Sequence, residues 1–220
     1  IDSALCAYLC HKAGLELYAI ALPYGKTGAD GKKLAKDLGL PENHIFTVNI
    51  APMVDQTIKK LEKIVKLDRA DKGNIMARQR MIVQYALARR LNGLVVGTEN
   101  LSEYYLGYFT LFGDQACDIS PISGLLKTQV FELAQYLSVP KWVLEKAPTA
   151  GLWEGQTDEG EFGFTYKDAD QIIYLSIIKK VAKEKIIKKG FNPKLIDKIL
   201  KRVKDTEYKR GVSPKCSLWI

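Results

Sequence analysis

Apolar residues along this chain come in two kinds of run. Some recur every three or four positions, the spacing of one helix face; others form short unbroken blocks, the mark of a strand covered on both sides. The first half alternates the two. Residues 2–12 carry Ala4, Leu5, Ala7, Tyr8 and Leu9 and end near Lys12 and Gly14, which predicts a helix with its stop signal. Residues 16–22 (ELYAIAL) are apolar up to Pro23 and predict a buried strand. A helix is expected over 29–38, closed by Gly39, and a second strand over 45–50 (IFTVNI). The face made by Met53, Ile58, Leu61, Ile64 and Val65 predicts a helix over 52–67. A strong helix follows over 74–91, then a third strand over 93–97 (GLVVG).

Apolar strands separated by helices imply an α/β fold: a parallel sheet with helices on both faces. Such sheets bind ligands at the carboxyl ends of their strands. That rule directs attention to residues after 21–22, to residues after Val96, and to Asp2, ahead of which a further strand is expected. The second half reads differently. Residues 98–123 and 147–165 show little periodicity and are too long for ordinary connections, so both are expected to be functional loops. Helices are predicted over 127–137, 166–189 and 193–203, before a basic tail. No internal repeat appears, and the 220 residues read as one domain with a helical C-terminal extension.

Charge narrows the choice of ligand. The net charge is +8, from 33 basic and 25 acidic residues. Such a field attracts polyanions, but the basic residues are not interleaved with aromatics as in a nucleic-acid module. Small phosphorylated ligands fit better. No apolar window is long enough to span a membrane, and no leader is visible in a chain that opens at Ile1. Cys6, Cys10, Cys117 and Cys216 form no CxxC pair, so free thiols in a reducing cytoplasm are expected. His11 and His44 have no metal or triad partner near them in sequence.

Several constellations carry possible chemistry, each beside a plainer reading. Ile1-Asp2-Ser3-Ala4 opens a helix: Asp2 and Ser3 are capping residues, or the helix start is a phosphate site. Thr98 and Glu103 follow the third strand on the ligand edge. Glu103 is a solvated helix-start residue, or it pairs with Asp2 around a hard cation such as Mg²⁺. Asp114 and Asp118 sit in a loop as turn formers, or they handle ligand hydroxyls and a proton. Lys127 and Arg78 are lone helix cations; Arg78, in line with Ile82 and Tyr85, is expected to be partly covered. Residues 151–159 form either a packed loop or a lid bending at Gly151, Gly155 and Gly160.

Together the segments GNIMARQRM (73–81), GTENLSEYYLGYFT (97–110), GDQACDISPI (113–122), LLKTQVFELAQYL (125–137), KAPTAGLWEGQTDE (146–159) and EFGFTY (161–166) resemble NAD synthetase in order and spacing. The likeness runs over essentially the whole chain, and GTxNxSE and PTAGLWEGQTDE separate it from other N-type ATP pyrophosphatases. It implies a Rossmann-like, adenine nucleotide alpha hydrolase-like fold. It also implies the reaction. ATP adenylates the carboxylate of deamido-NAD, pyrophosphate leaves, and ammonia attacks to give NAD and AMP.

By that resemblance Asp2 and Glu103 are Mg²⁺ ligands. Asp2, Ser3, Ala4, Thr98, Lys127 and Thr149 contact ATP; Arg78, Asp118 and Lys209 hold deamido-NAD; Asp114 and Lys127 serve catalysis. The resemblance implies a homodimer as well; glutamine-using members of the family carry an amidase domain for which this chain has no room, so free ammonia is expected, with no nucleic acid and no membrane. Four departures stand out: no Ser-Gly-Gly ahead of Ile1, Leu111 for the usual lysine, Tyr208 for the usual histidine, and a short loop over 25–30. Leu111 and Tyr208 keep open a rival reading, a nucleotide-binding regulatory subunit. The charge keeps open another, a tRNA-modifying pyrophosphatase, which predicts salt-sensitive tRNA binding.

Overall fold

The structure, a computed structural model, describes residues 1–25, 29–153 and 155–211. The expected helix over 2–12 is α1 (Asp2–Lys12), which buries Ala4, Leu5, Cys6 and Cys10. Next come β1 (Ala19–Ala21), α2 (Ala29–Asp37) and β2 (Ile45–Thr47). β1 and β2 pair in parallel, with Ala19 opposite Ile45 and Ala21 opposite Thr47. Backbone bonds from Val48 N to Ala21 O and from Ile50 N to Pro23 O continue the pairing toward the predicted ends. Part of the short 25–30 loop lies outside the described residues, as does Cys216.

α3 (Ala51–Leu61) stops six residues before its predicted end, and Ile64 is 83% exposed rather than on a buried face. The cause is the next start signal. Asp68 and Asp71 form a reciprocal cap, each carboxylate accepting the other's backbone N–H at 2.8 and 3.0 Å. α4 therefore begins early, at Arg69, and runs to Leu91 (Arg69–Leu91), so the chain between must turn.

The predicted third strand is not part of the sheet. Among the described residues the sheet has two strands, β1 and β2. Residues 93–97 instead make one parallel bridge, Val96 with Ile119, supported by Asp118 N to Val95 O and Gly97 N to Ile119 O at 2.9 and 2.7 Å. A strand exists only where a neighbour supplies a ladder, and the extended GLVVG segment finds only this short one. The fold is thus helix-rich α/β with a small parallel sheet. Gly97 is required there: a Cβ would lie 2.4 Å from Cys117 Sγ.

The irregular stretches hold more helix than periodicity predicts. α5 (Leu101–Leu106) and α8 (Asp158–Phe162) lie inside them; α6 (Lys127–Tyr136) and α7 (Lys141–Leu144) stand between. The single helix expected over 166–189 is instead α9 (Tyr166–Ile173), a wide π turn, a left-handed break at Lys180 (φ 52°) and α10 (Lys183–Lys188). Burial explains the break. Ile173 and Ile186 are both fully buried in one cluster, yet a straight helix would set them about 20 Å apart. α11 (Pro193–Asp205) closes that cluster with Ile196 and Ile199. α6 links the halves, since α1 and α9 both pack on it. No helix is long and apolar enough to cross a membrane among the described residues.

Candidate functional site

A cleft of about 840 Å³ opens where α1, the 95–98 segment, α5 and α6 converge. Asp2, Ser3, Ala4, Thr98, Glu103, Asp114, Lys127, Thr149 and Lys209 all line it. Asp2 and Ser3 do not cap α1: the N-cap position is Ile1, which makes no side-chain cap bond. The opening N–H groups of α1, with the positive end of its dipole, are therefore available to an anion in the cleft.

Lys127 is the centre of the site. It is 1% exposed, so the surface-lysine reading fails. Its Nζ donates to Asp2 Oδ2 at 2.5 Å and to Glu103 Oε1 at 2.9 Å. Both carboxylates are held from behind by Asn100, which sequence reasoning passed over. Asn100 Nδ2 donates to Asp2 Oδ1 at 2.9 Å, and Asn100 N donates to Glu103 Oε2 at 3.3 Å. Asn100 Oδ1 in turn accepts Glu103 N, completing the reciprocal cap of α5. Glu103 is a helix-start residue, as the plain reading had it, but its side chain is only 14% exposed.

Lys127 owes its position to a cap supplied by tertiary structure. The N-cap position ahead of α6 is Leu126, which has no capping side chain. Ser102 Oγ accepts Lys127 N at 2.8 Å, Asp170 Oδ2 accepts Thr128 N at 2.8 Å, and Ser102 Oγ donates to Asp170 Oδ1 at 2.5 Å. All three groups are buried or half-buried, so the free N–H groups of the helix start are paid for by α5 and α9. On the far side, Lys127 Nζ lies 5.1 Å from the Tyr166 ring centroid. Tyr166 Oη donates to Asp158 Oδ2 at 3.0 Å, while Asp158 Oδ1 is buried without a partner.

Burial pulls the Lys127 ammonium down, but Glu103 and Asp2 outweigh it, so it is held as a cation. Burial pushes Glu103 above the carboxylate range; the Asp2 charge adds to this and Lys127 opposes it. Burial also holds the Tyr166 phenol well above its usual range. Cys6, whose thiol faces Gly97 O, is pushed up to about 12 by burial, which leaves it inert. The described cysteines are free, with Cys6 and Cys10 buried and Cys117 half-buried.

A second acidic pair lies on the other flank. Asp114 Oδ1 accepts Thr110 N at 2.7 Å. Glu99, not singled out from the sequence, has a buried Oε1 without a partner; burial, then the Asp114 charge, raises it to about 7. Lys209 Nζ donates to the carbonyls of Gly107 and Phe109 at 2.8 and 2.7 Å.

Arg78 and Asp118 stand apart from the cleft lining. Arg78 is exposed rather than partly covered, because α4 buries Met76 and Ala77 on its opposite face. Its guanidinium donates to Leu111 O. Asp118 Oδ2 accepts Val95 N at 2.7 Å and Oδ1 accepts Tyr85 Oη at 3.5 Å. Described residues of the 147–161 stretch line one side of the cleft. Gln156 ties it down, accepting Leu152 N and donating to Glu161 and Tyr108, while Leu152 seats against Gly73, where a Cβ would lie 2.9 Å from its Cδ1.

The NAD synthase family model matches residues 1–213. The chain belongs to the NAD synthase family. It is 43% identical to an NH(3)-dependent NAD(+) synthetase of Fusobacterium nucleatum over 216 residues, 96% of this chain and 81% of that one. Among solved structures, an NMN synthetase from Francisella tularensis superposes with a TM-score of 0.85 at 36% identity, covering 99% of this chain and 85% of the other. An NH3-dependent NAD synthetase from Campylobacter jejuni, in complex with nitrate, gives 0.78 at 27% identity, covering 98% and 85%.

Proposed function

We infer that the protein is an ammonia-dependent NAD synthetase: a carbon–nitrogen ligase that uses ATP to amidate deamido-NAD in the last step of NAD formation. Family membership over residues 1–213 carries the reaction. The observation that carries the site is the Asp2–Lys127–Glu103 centre at the start of α1, in a cleft large enough for a nucleotide. The small parallel sheet is read as part of a Rossmann-like, adenine nucleotide alpha hydrolase-like layer, and the whole chain as one domain.

Asp2 and Glu103 suit Mg²⁺, being hard oxygen donors on one centre. Among the described residues no cluster of three or more metal-ligating side chains exists. Two carboxylates would therefore hold the ion together with phosphate oxygens and water. When bound, it would neutralise charge on the triphosphate. Ser3 and Ala4 offer N–H groups to phosphate, Lys127 an ammonium to the departing pyrophosphate, and Thr98 and Thr149 hydroxyls to the nucleotide. Arg78, Asp118 and Lys209 are assigned to deamido-NAD, and Asp114 to the incoming ammonia. The segment lining the cleft keeps water from the acyl-adenylate. Since Arg78 and Asp118 lie outside the cleft beside exposed Ile82 and Phe112 (54% and 63%), a homodimer across that face fits their role.

Incubation with ATP, Mg²⁺, deamido-NAD and ammonium should yield NAD and AMP in equal amounts. No NAD and no AMP would sink the ligase reading in favour of a regulatory subunit. Glutamine alone should not replace ammonium. One observation favours a second reading, amidation of the nicotinate mononucleotide: the superposition on an NMN synthetase. The ratio of kcat/KM for the two substrates decides between them.

A further inference from the structure

We propose that Lys127 is a built-in stand-in for the divalent cation: in the nucleotide-free protein its ammonium occupies the place between Asp2 and Glu103 that the metal takes once a nucleoside triphosphate brings it in. The proposal rests on the reading of Asp2 and Glu103 as the metal pair.

Each of these carboxylates has one oxygen already committed. Asp2 Oδ1 accepts from Asn100 Nδ2 and Glu103 Oε2 accepts from Asn100 N. The oxygens left to face a metal are Asp2 Oδ2 and Glu103 Oε1, and Lys127 Nζ sits on both, at 2.5 and 2.9 Å. A Mg²⁺ ion bonds oxygen at about 2.0–2.1 Å. An ammonium cannot keep the same two oxygens while a dication holds them, since both claim the same lone pairs and repel each other. Metal entry therefore requires Lys127 to leave.

The structure offers the ammonium somewhere to go. Its four-carbon stem is flexible. Beyond the Tyr166 ring, 5.1 Å away, lies Asp158, whose Oδ1 is buried with no partner and which lines the same cleft. Phosphate oxygens in that cleft would serve equally. Metal alone must compete with a cation tethered at high effective concentration. Metal arriving with a triphosphate meets no such competition, because the phosphates receive the displaced ammonium. Metal and nucleotide should then bind synergistically, and the acidic pair should stay closed to free divalent ions.

Mn²⁺ serves as the probe, followed by its electron paramagnetic resonance signal on the full chain without nucleotide. Lys127→Met should bind Mn²⁺ about tenfold or more tightly than the unaltered protein, and Lys127→Met combined with Glu103→Gln should lose that gain. A folded Lys127→Met variant that binds Mn²⁺ no more tightly overturns the proposal. Should that variant not fold, the unaltered protein decides: Mn²⁺ alone should leave its Tm unchanged, while Mn²⁺ with a non-hydrolysable ATP analogue should raise it beyond the analogue alone. An equal rise with Mn²⁺ alone overturns it. Glu103→Gln retaining normal Mn²⁺ binding beside the analogue would remove the metal pair itself, and the proposal with it. Weakened binding there, with no gain in Lys127→Met, would remove only the stand-in.

Discussion

Two of the lysines that line the cleft are held in opposite ways. Lys127 has two carboxylates on its ammonium; Lys209 has two backbone carbonyls. Burial depresses both, but Glu103 and Asp2 reverse the effect at Lys127, whereas at Lys209 the Arg202 charge adds to burial, Asp114 and Glu99 oppose it only in part, and the ammonium stays lowered. The first is an ion locked into a charge network. The second is a cation held by dipoles, easier to redirect toward a ligand. The residue type is the same, and the neighbours decide what it can do.

Removing each lysine should separate the two. Lys127→Ala leaves two half-buried carboxylates facing each other, a loss of about 3–5 kcal/mol. Chemical denaturation should show it, and added Mg²⁺ should restore part of it. No loss would mean that the network contributes nothing to the fold. Glu103→Gln keeps the shape, so it should lower the adenylation rate about 100- to 1,000-fold with only a small change in Tm. Near-normal turnover would take Glu103 out of the site.

The acid on the Lys209 side sharpens the contrast through pH. Glu99 is raised to about 7 from an ordinary 4.5. Below pH 4.5 folded and unfolded forms both hold the proton, so there is no effect. Between 4.5 and 7 the unfolded chain releases it first and folding loses stability, by about 1–3 kcal/mol in full above pH 7. Glu99→Gln should therefore raise Tm at pH 8 and leave it unchanged at pH 4. A gain equal at both pH values would assign the effect to packing. Lys209→Met should be mildest in stability, within about 1 kcal/mol, while raising KM for the nicotinate nucleotide more than it lowers kcat. A fall in kcat alone would contradict a substrate-holding role.

How legible the molecule is depends on the range of the interactions involved. α1 is readable to the residue because its apolar spacing and Gly14 stop signal are local. The reach of α4 is misjudged by five residues because Asp68 and Asp71 cap it in place of the usual Ser/Thr and Glu. Residues 93–97 have strand composition, yet only a partner strand confers strand structure, and Ile119 supplies a single bridge. The Lys180 break answers to a distant cluster that buries Ile173 and Ile186 together. Asn100, Ser102 and Asp170 escape notice as ordinary polar residues, although Asn100, three residues before Glu103, carries a cap signature that could have found it.

The sequence by itself determined the family, the helix faces and the identity of the charged residues, because motif spacing and periodicity are written along the chain. Only the tertiary structure decided that Lys127 stands between Asp2 and Glu103, that Asn100 turns both carboxylates toward it, and that Arg78 and Asp118 lie outside the cleft. Residues 2, 103 and 127 meet through the packing of α1, α5 and α6. The charge state of a buried group depends on such neighbours, which no local pattern encodes.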